Sequence, residues 1–190
     1  MSQNYHTEFG DADVVDIPSM NERFSDLDSA IATQAAAATP IKVALLTDSK
    51  STGTAGGAAS ATTWHTRDLN TKVDTNSIVT LASNRFTPIS GTYVIIATAP
   101  GAFVNLQRLR LYNYTQDSVE LYGLNGKADS GSSGAVQPAL LQGTFSANGT
   151  DAYRIDHYCQ SAKATDGLGV AVSDGSPEIY TTVLLMRVGD

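Results

Sequence analysis

Ile17, Met20, Phe24, Leu27 and Ile31 recur at alternating intervals of three and four, the a/d stripe of a short coiled coil. Pro18 then Ser19, with Glu22 three positions on, reads as a helix start with a capping box. Pro40 disfavours helical backbone at the residue before it, so the helix should end near Ala38 after roughly 30 Å. A helix this short is marginal alone in water, because nucleation is costly and few turns offset it. Its seam is therefore expected to meet copies of itself or another protein. Phe24 at an a position crowds a two-stranded seam, which points to a trimer. Beyond Ile31 the stripe thins to Ala35 and Ala38, so the coil should tighten and weaken there.

After Pro40 the period changes. Apolar and β-branched runs separated by Gly, Ser, Asn and Asp occupy 42–47, 64–71, 77–81, 92–99, 104–114, 119–124, 137–145, 152–160, 168–172 and 179–188. A low-complexity loop fills 49–60. Strands of this number, with no helical period between them, predict an antiparallel sandwich. The last run is apolar on both faces, with Tyr180, Leu184, Met186 and Val188 on one and Val183 and Leu185 on the other. One face can fill a core and the other needs cover, which a neighbouring subunit would supply. Val183 and Leu185 are assigned to a trimer axis. The domain reading is 1–16 as an extended anchor, 17–40 as a stem and 41–190 as a head.

Composition adds few constraints. The chain's 190 residues suffice for one all-β domain and a short extension. No apolar run is long enough to cross a bilayer, and the acidic N-terminus shows neither a basic start nor an apolar signal core. Membrane insertion is not expected. Of the net charge of −7, most sits in residues 1–28, where seven acids face the single base Arg23. The remainder is nearly neutral, so no basic stripe awaits phosphates and nucleic-acid binding is not expected. The acidic segment reads either as a solvated tail or as an anchor for a basic socket. The lone cysteine, Cys159, cannot form an internal disulfide.

Candidate chemistry is thin. Asp11-x-Asp13-x-x-Asp16 lacks the glycine and distant glutamate of a calcium loop. Gly123-Leu-Asn-Gly-Lys127 is too short for a phosphate loop and reads as a turn. His6, His65 and His157 have no metal-ligand spacing. His157 shares a strand face with Tyr153, Ile155 and Cys159 and reads as a core histidine. Residues two apart on a strand make a poor nucleophile pair, so Cys159 and His157 are not assigned catalysis. No enzyme activity, cofactor or metal is expected.

The run Asn84-Arg-Phe-Thr-Pro-Ile-Ser-Gly-Thr-Tyr93, followed by Val94-Ile-Ile-Ala97, resembles the Phe, Pro, Gly and Tyr strand motif of trimeric jelly-roll heads of the tumour-necrosis-factor and complement-head class. Trp64-His-Thr-Arg-Asp-Leu-Asn-Thr71 is similar to a segment of phage versions of that head. So are Arg108-Leu-Arg-Leu-Tyr-Asn113, Tyr153-Arg-Ile-Asp-His-Tyr158 and Glu178-Ile-Tyr-Thr-Thr-Val183. The resemblance spans residues 60–188. It implies an all-β antiparallel jelly roll, TNF-like, preceded by a short trimeric coiled coil. It also implies three rolls around a threefold axis with the last strand in the inner sheet. Gly91 would then be a turn residue and Tyr93 a buried aromatic with a polar tip.

The expected function follows from that outline. It is a homotrimeric bacteriophage appendage, bound to a capsid or tail protein through residues 1–16 and presenting loops to a host-surface glycan or protein. Sixteen residues ahead of the stem are scant for a tail-fibre adaptor, which leans the reading toward a capsid head fibre or decoration protein on the virion surface. A tail fibre and an intracellular scaffold remain the alternatives. In the resembled topology, counting strands back from Val188 puts loops 173–177, 146–151 and 115–118 at the pole far from the stem, with 161–166 and 125–136 on the stem side. Asp117, Asn148, Asp151 and Asp174 are the expected receptor contacts.

Overall fold

The computed structural model describes residues 17–37, 40–128 and 137–189; the expected anchor at 1–16 lies outside them. The chain divides at Pro40 into two units. In the first, α1 (Ile17–Ala37) is one 21-residue helix. It begins two residues ahead of Ser19, so the expected cap is displaced and Pro18 falls in the first turn, where its missing N–H costs nothing. Met20, Phe24, Leu27 and Ile31 are all exposed, Phe24 by 62%. The seam has no partner within the helix.

Among the described residues, the second unit contains twelve strands. In chain order they are β1 (Lys42–Lys50), β2 (Thr63–Thr66), β3 (Thr71–Val73), β4 (Val79–Ala82), β5 (Arg85–Pro88), β6 (Gly91–Gly101), β7 (Asn105–Asn113), β8 (Ser118–Tyr122), β9 (Gly126–Ala128), β10 (Gln137–Ala147), β11 (Tyr153–Cys159) and β12 (Glu178–Gly189). One sheet has the order β10-β6-β12-β1-β3. The other runs β4-β5-β11-β7-β8, with β2 also paired to β11 and β9 to β7. Every pairing is antiparallel.

Alternation explains how the layers close. Ala44 and Leu46 of β1, Tyr93, Ile95 and Ala97 of β6, Leu141 and Phe145 of β10, and Val183 and Leu185 of β12 turn inward from the first sheet. They meet Leu109, Leu111, Tyr153, Ile155 and Phe86 of the second. An aromatic chain crosses between the layers. Tyr93 stacks on Phe145 with centroids 5.6 Å apart, Phe145 meets Tyr153 edge-on at 5.1 Å, and Tyr153 stacks on Phe86 at 6.0 Å. Such pairs add about 0.5–1.5 kcal/mol each beyond area burial.

The Phe86–Tyr93 motif behaves as the resemblance implied. Phe86, Pro88, Gly91 and Tyr93 are all buried. The Tyr93 hydroxyl donates to the carbonyls of Ile89 at 3.1 Å and Ile78 at 3.3 Å. Gly91 has φ +148°, and a Cβ there would stand 2.6 Å from both Arg187 Nε and the Gly189 carbonyl, so neither the backbone nor the space admits a side chain.

Two expectations are corrected. Val183 and Leu185, assigned to a trimer axis, are wholly buried in the chain's own core. With both faces of the strand apolar, periodicity could not say which turned inward. The outward face carries Leu184, Met186 and Val188 instead, while Tyr180 leaves that set. A bulge against β1 between Thr47 and Ser49 shifts the phase, so that Glu178, Tyr180 and Thr181 are buried.

The second correction concerns 168–172, which forms no strand. Residues 160–177 are one long connection zipped to the 51–60 loop: Ala59 and Lys163 exchange backbone hydrogen bonds at 2.9 Å, Gly56 N–H donates to the Gly169 carbonyl at 2.9 Å, and Leu168 N–H to Gly57 at 2.9 Å. Gly167 permits this approach, since a Cβ there would sit 2.7 Å from that of Ala59. The sequence signals for β5 and β9 were also missed. Both are only three or four residues long.

Candidate functional site

The lost strand inverts the expected loop positions. Ala147 at the end of β10 pairs with Gly91, Gly189 pairs with Thr92, and Lys42 pairs with Arg187. Loop 146–151 therefore lies at the pole where β1 begins, not at the opposite one. The 115–118 turn joins it, because the Ala152 N–H donates to Thr115 Oγ1 at 2.9 Å. Residues 173–177 precede β12 and occupy the other pole, as expected. Contrary to expectation, 161–166, zipped to the 51–60 loop, and β9, which pairs with the start of β7, lie at that same pole instead of the stem side; residues 129–136 of that connection lie outside the described set.

The four expected receptor contacts thus split between poles, Asp117, Asn148 and Asp151 at one and Asp174 at the other. Their contacts are also structural. Asp151 is buried and accepts from Asn113 Nδ2 at 2.9 Å and Gln116 Nε2 at 3.3 Å. Hydrogen bonds from Asn113 first, and from Asn148 and Gln116, hold its carboxyl below the ordinary value. Asn148 Oδ1 accepts the Thr150 and Asp151 N–H groups, both at 2.9 Å, an Asx turn. Asp117 receives the Tyr112 hydroxyl, and Asp174 caps the Ser176 N–H at 2.9 Å.

His157 and Cys159 lie in the interior. The His157 Nε2–H donates to Gln107 Oε1 at 2.9 Å, which leaves Nδ1 unprotonated in the neutral ring. Burial lowers its pKa to about 3. Burial likewise pushes the Cys159 thiol up to about 11, away from the thiolate a nucleophile needs. Among the described residues, no group of three or more His, Cys, Asp or Glu could hold a metal ion, and no helix is long and apolar enough to cross a membrane.

Register builds two unlike outer faces. On the five-stranded sheet, Val73, Leu45, Leu184 and Ile96 form one cross-strand row and Val43, Met186 and Val94 the next. Val73 is 61% exposed and Leu45, Ile96 and Val43 are exposed beside it. No polar side chain interrupts either row across these strands.

The other sheet turns out a different chemistry. Its rows are Trp64–Tyr158–Arg108, then Thr66–Asp156–Arg110–Tyr122, then Arg154–Tyr112. Guanidinium groups lie over rings throughout: Arg110 is 4.2 Å from the Trp64 centroid and 4.4 Å from Tyr112, Arg108 is 4.2 Å from Tyr122, and Arg85 is 3.3 Å from Tyr114. Asp156 is the one acid in these rows. It accepts two bonds from Arg110, at 2.8 and 3.0 Å, and has Arg154 Nε 2.8 Å away, outside hydrogen-bond geometry, as a second counter-charge. The rows keep a net positive charge.

Beside the first row lies an open cleft of about 570 Å³, lined by Trp64, Tyr158, Arg108, Leu106 and Asn125. That size falls within the range of about 300–1,000 Å³ usual for small-ligand sites. The Arg108 Nε donates to the Gly123 carbonyl at 3.2 Å; its two terminal nitrogens have no partner among the described residues. The sequence reading missed this face. Its signal was the alternation Arg108-x-Arg110-x-Tyr112-x-Tyr114, too polar for a core and too aromatic for an ordinary solvated face.

No protein-family model matches the chain, and no curated protein matches it. Among solved structures, the crystal structure of murine APRIL at pH 5.0 aligns with a TM-score of 0.51 at 11% identity, over 78% of this chain and 99% of that one. Murine APRIL at pH 8.0 aligns with a TM-score of 0.49 at 10% identity over the same shares. Identity so low speaks only to architecture, and the strand order and the first alignment agree on it: the second unit is an antiparallel jelly roll of the TNF-like kind.

Proposed function

We propose that the protein is a non-enzymatic attachment protein: a homotrimeric bacteriophage appendage, a head fibre or capsid decoration, whose stem and jelly roll both self-associate. The observation that carries this reading is that one chain leaves two separate apolar surfaces without cover. These are the α1 seam of Met20, Phe24, Leu27 and Ile31, and the outer rows of Leu45, Leu184, Met186 and Ile96. A monomer rarely leaves such patches in water, and at about 25 cal/mol per Å² their burial between copies is a substantial driving force. Attachment to a capsid or tail protein is given to residues 1–16. The face of the other sheet remains available for a host-surface ligand.

Light scattering at micromolar concentration tests the assembly, with a trimer mass expected and a monomer or dimer mass overturning it. Labelled protein on a panel of bacterial surfaces tests attachment. A trimer that decorates neither virions nor cells would instead be a scaffold.

A further inference from the structure

The geometry points to a binding site for a carboxylate-bearing sugar, a uronic or nonulosonic acid residue of a surface glycan, in the cleft between Trp64, Tyr158 and Arg108. The inference deepens the attachment reading and rests on it for its biological meaning, though not for its chemistry. Three observations converge. The cleft, at about 570 Å³, is open and walled by aromatic rings. Trp64 and Tyr158 lie side by side on paired strands, with centroids 5.5 Å apart and planes tilted by 58°. Two inclined ring faces suit the apolar face of a pyranose, which stacks on an aromatic through its axial C–H bonds.

Arg108 supplies the charge. Its Nε is committed to Gly123 O and its ring contact with Tyr122 holds the guanidinium plane. The terminal nitrogens, without a partner among the described residues, form the fork that matches a carboxylate with two parallel hydrogen bonds. Arg110 stands in the next row, and the acid that would oppose a bound anion, Asp156, already faces Arg110 and Arg154. Asn125 borders the cleft as a further polar group for sugar hydroxyls. An acidic peptide could satisfy the arginine, but it has less use for two aromatic rings beside the fork.

The test titrates the intact protein with trigalacturonate, a hyaluronan tetrasaccharide and 3′-sialyllactose, each beside its carboxyl-reduced form and a hexaglutamate peptide. At least one acidic sugar should bind and shift the Trp64 fluorescence, with its reduced form about tenfold weaker or more. Arg108→Ala and Trp64→Ala should each lose that binding, Arg108→Lys should recover part of it, and melting temperatures should confirm that each variant is folded. If no acidic sugar binds at millimolar concentration, if reduced sugars bind equally well, or if hexaglutamate binds in their place, the site is refuted. Cell binding by the same variants separates the two readings. Cell attachment that Arg108→Ala leaves at the wild-type level overturns the site's part in attachment and leaves the attachment protein standing. Sugar binding without any cell or virion attachment does the reverse.

Discussion

Arg67 Nε donates to Thr181 Oγ1 at 2.8 Å, in a bond that spans 114 positions of sequence. Thr181 faces inward because of the β12 bulge. The same guanidinium donates through Nη2 to the Leu168 carbonyl at 2.8 Å, so one buried side chain ties the bulged strand to the 160–177 connection. Arg67 is 1% exposed, and burial lowers its pKa to about 10, with the charge of Asp48 opposing that shift.

Removing that side chain should therefore loosen the whole pole. Arg67→Ala takes the donor from the Leu168 carbonyl and from Thr181 Oγ1 and leaves a cavity where the buried side chain lay, a loss of about 3–5 kcal/mol. Calorimetry should read a fall in melting temperature on the order of 10 °C. A change within a degree would show that the clamp is not structural.

Acid should destabilise the jelly roll, and His157 sets the window. Its folded pKa is depressed to about 3 from 6.5, so its stabilisation is complete above 6.5 and is lost as pH falls toward 3. At pH 5 the loss is about 2 kcal/mol. Glu178 extends the trend below 4.5, because N–H groups of Val172, Gly53 and Ser173 lower its pKa. Asp48 works the other way, since burial raises its pKa above 3.8, so its contribution is present below that value and lost as pH rises. Urea midpoints at pH 7 and pH 5 should differ in the wild type and converge in His157→Gln. Persistence of the full difference in that variant would remove His157 from the account.

Self-association should be separable by surface. Met186→Glu and Ile96→Asp place carboxylates in the outer apolar rows and should lower the oligomer mass while circular dichroism stays β-rich. Phe24→Asp should loosen the stem alone. The wild-type melting temperature should rise with protein concentration; independence from concentration would contradict assembly in this range.

Loop 146–151 should prove structural. Replacing it with a Gly/Ser linker removes the Asp151 bonds to Asn113 and Gln116 and the Asn148 turn. Thermal melts should report a less stable protein whose acidic-sugar binding is unchanged, since the cleft borders the opposite end of β11. Loss of sugar binding in a fully stable variant would reverse that assignment.

Local pattern was enough for several features. The α1 stripe, the period-two runs and the Phe86-x-Pro88 through Gly91-x-Tyr93 motif depend on neighbours within a few positions, and each is legible as helix, strand or turn. Tertiary structure alone decided which face of β12 turned inward, because Val183 and Leu185 are as apolar as Leu184 and Met186, and only the flanking β1 and β6 break that tie. It also decided that 168–172 would not be a strand. Leu168, Val170 and Val172 alternate convincingly, but the backbone of Leu168 and Gly169 bonds to Gly57 and Gly56, more than a hundred positions away, and the Val172 N–H donates to the Glu178 carboxylate. That single difference turned over the loop assignments. The aromatic and arginine face follows the same logic. Trp64, Tyr158 and Arg108 come from three separate runs of sequence, and only the antiparallel register of β2, β11 and β7 sets them in one row beside a cleft.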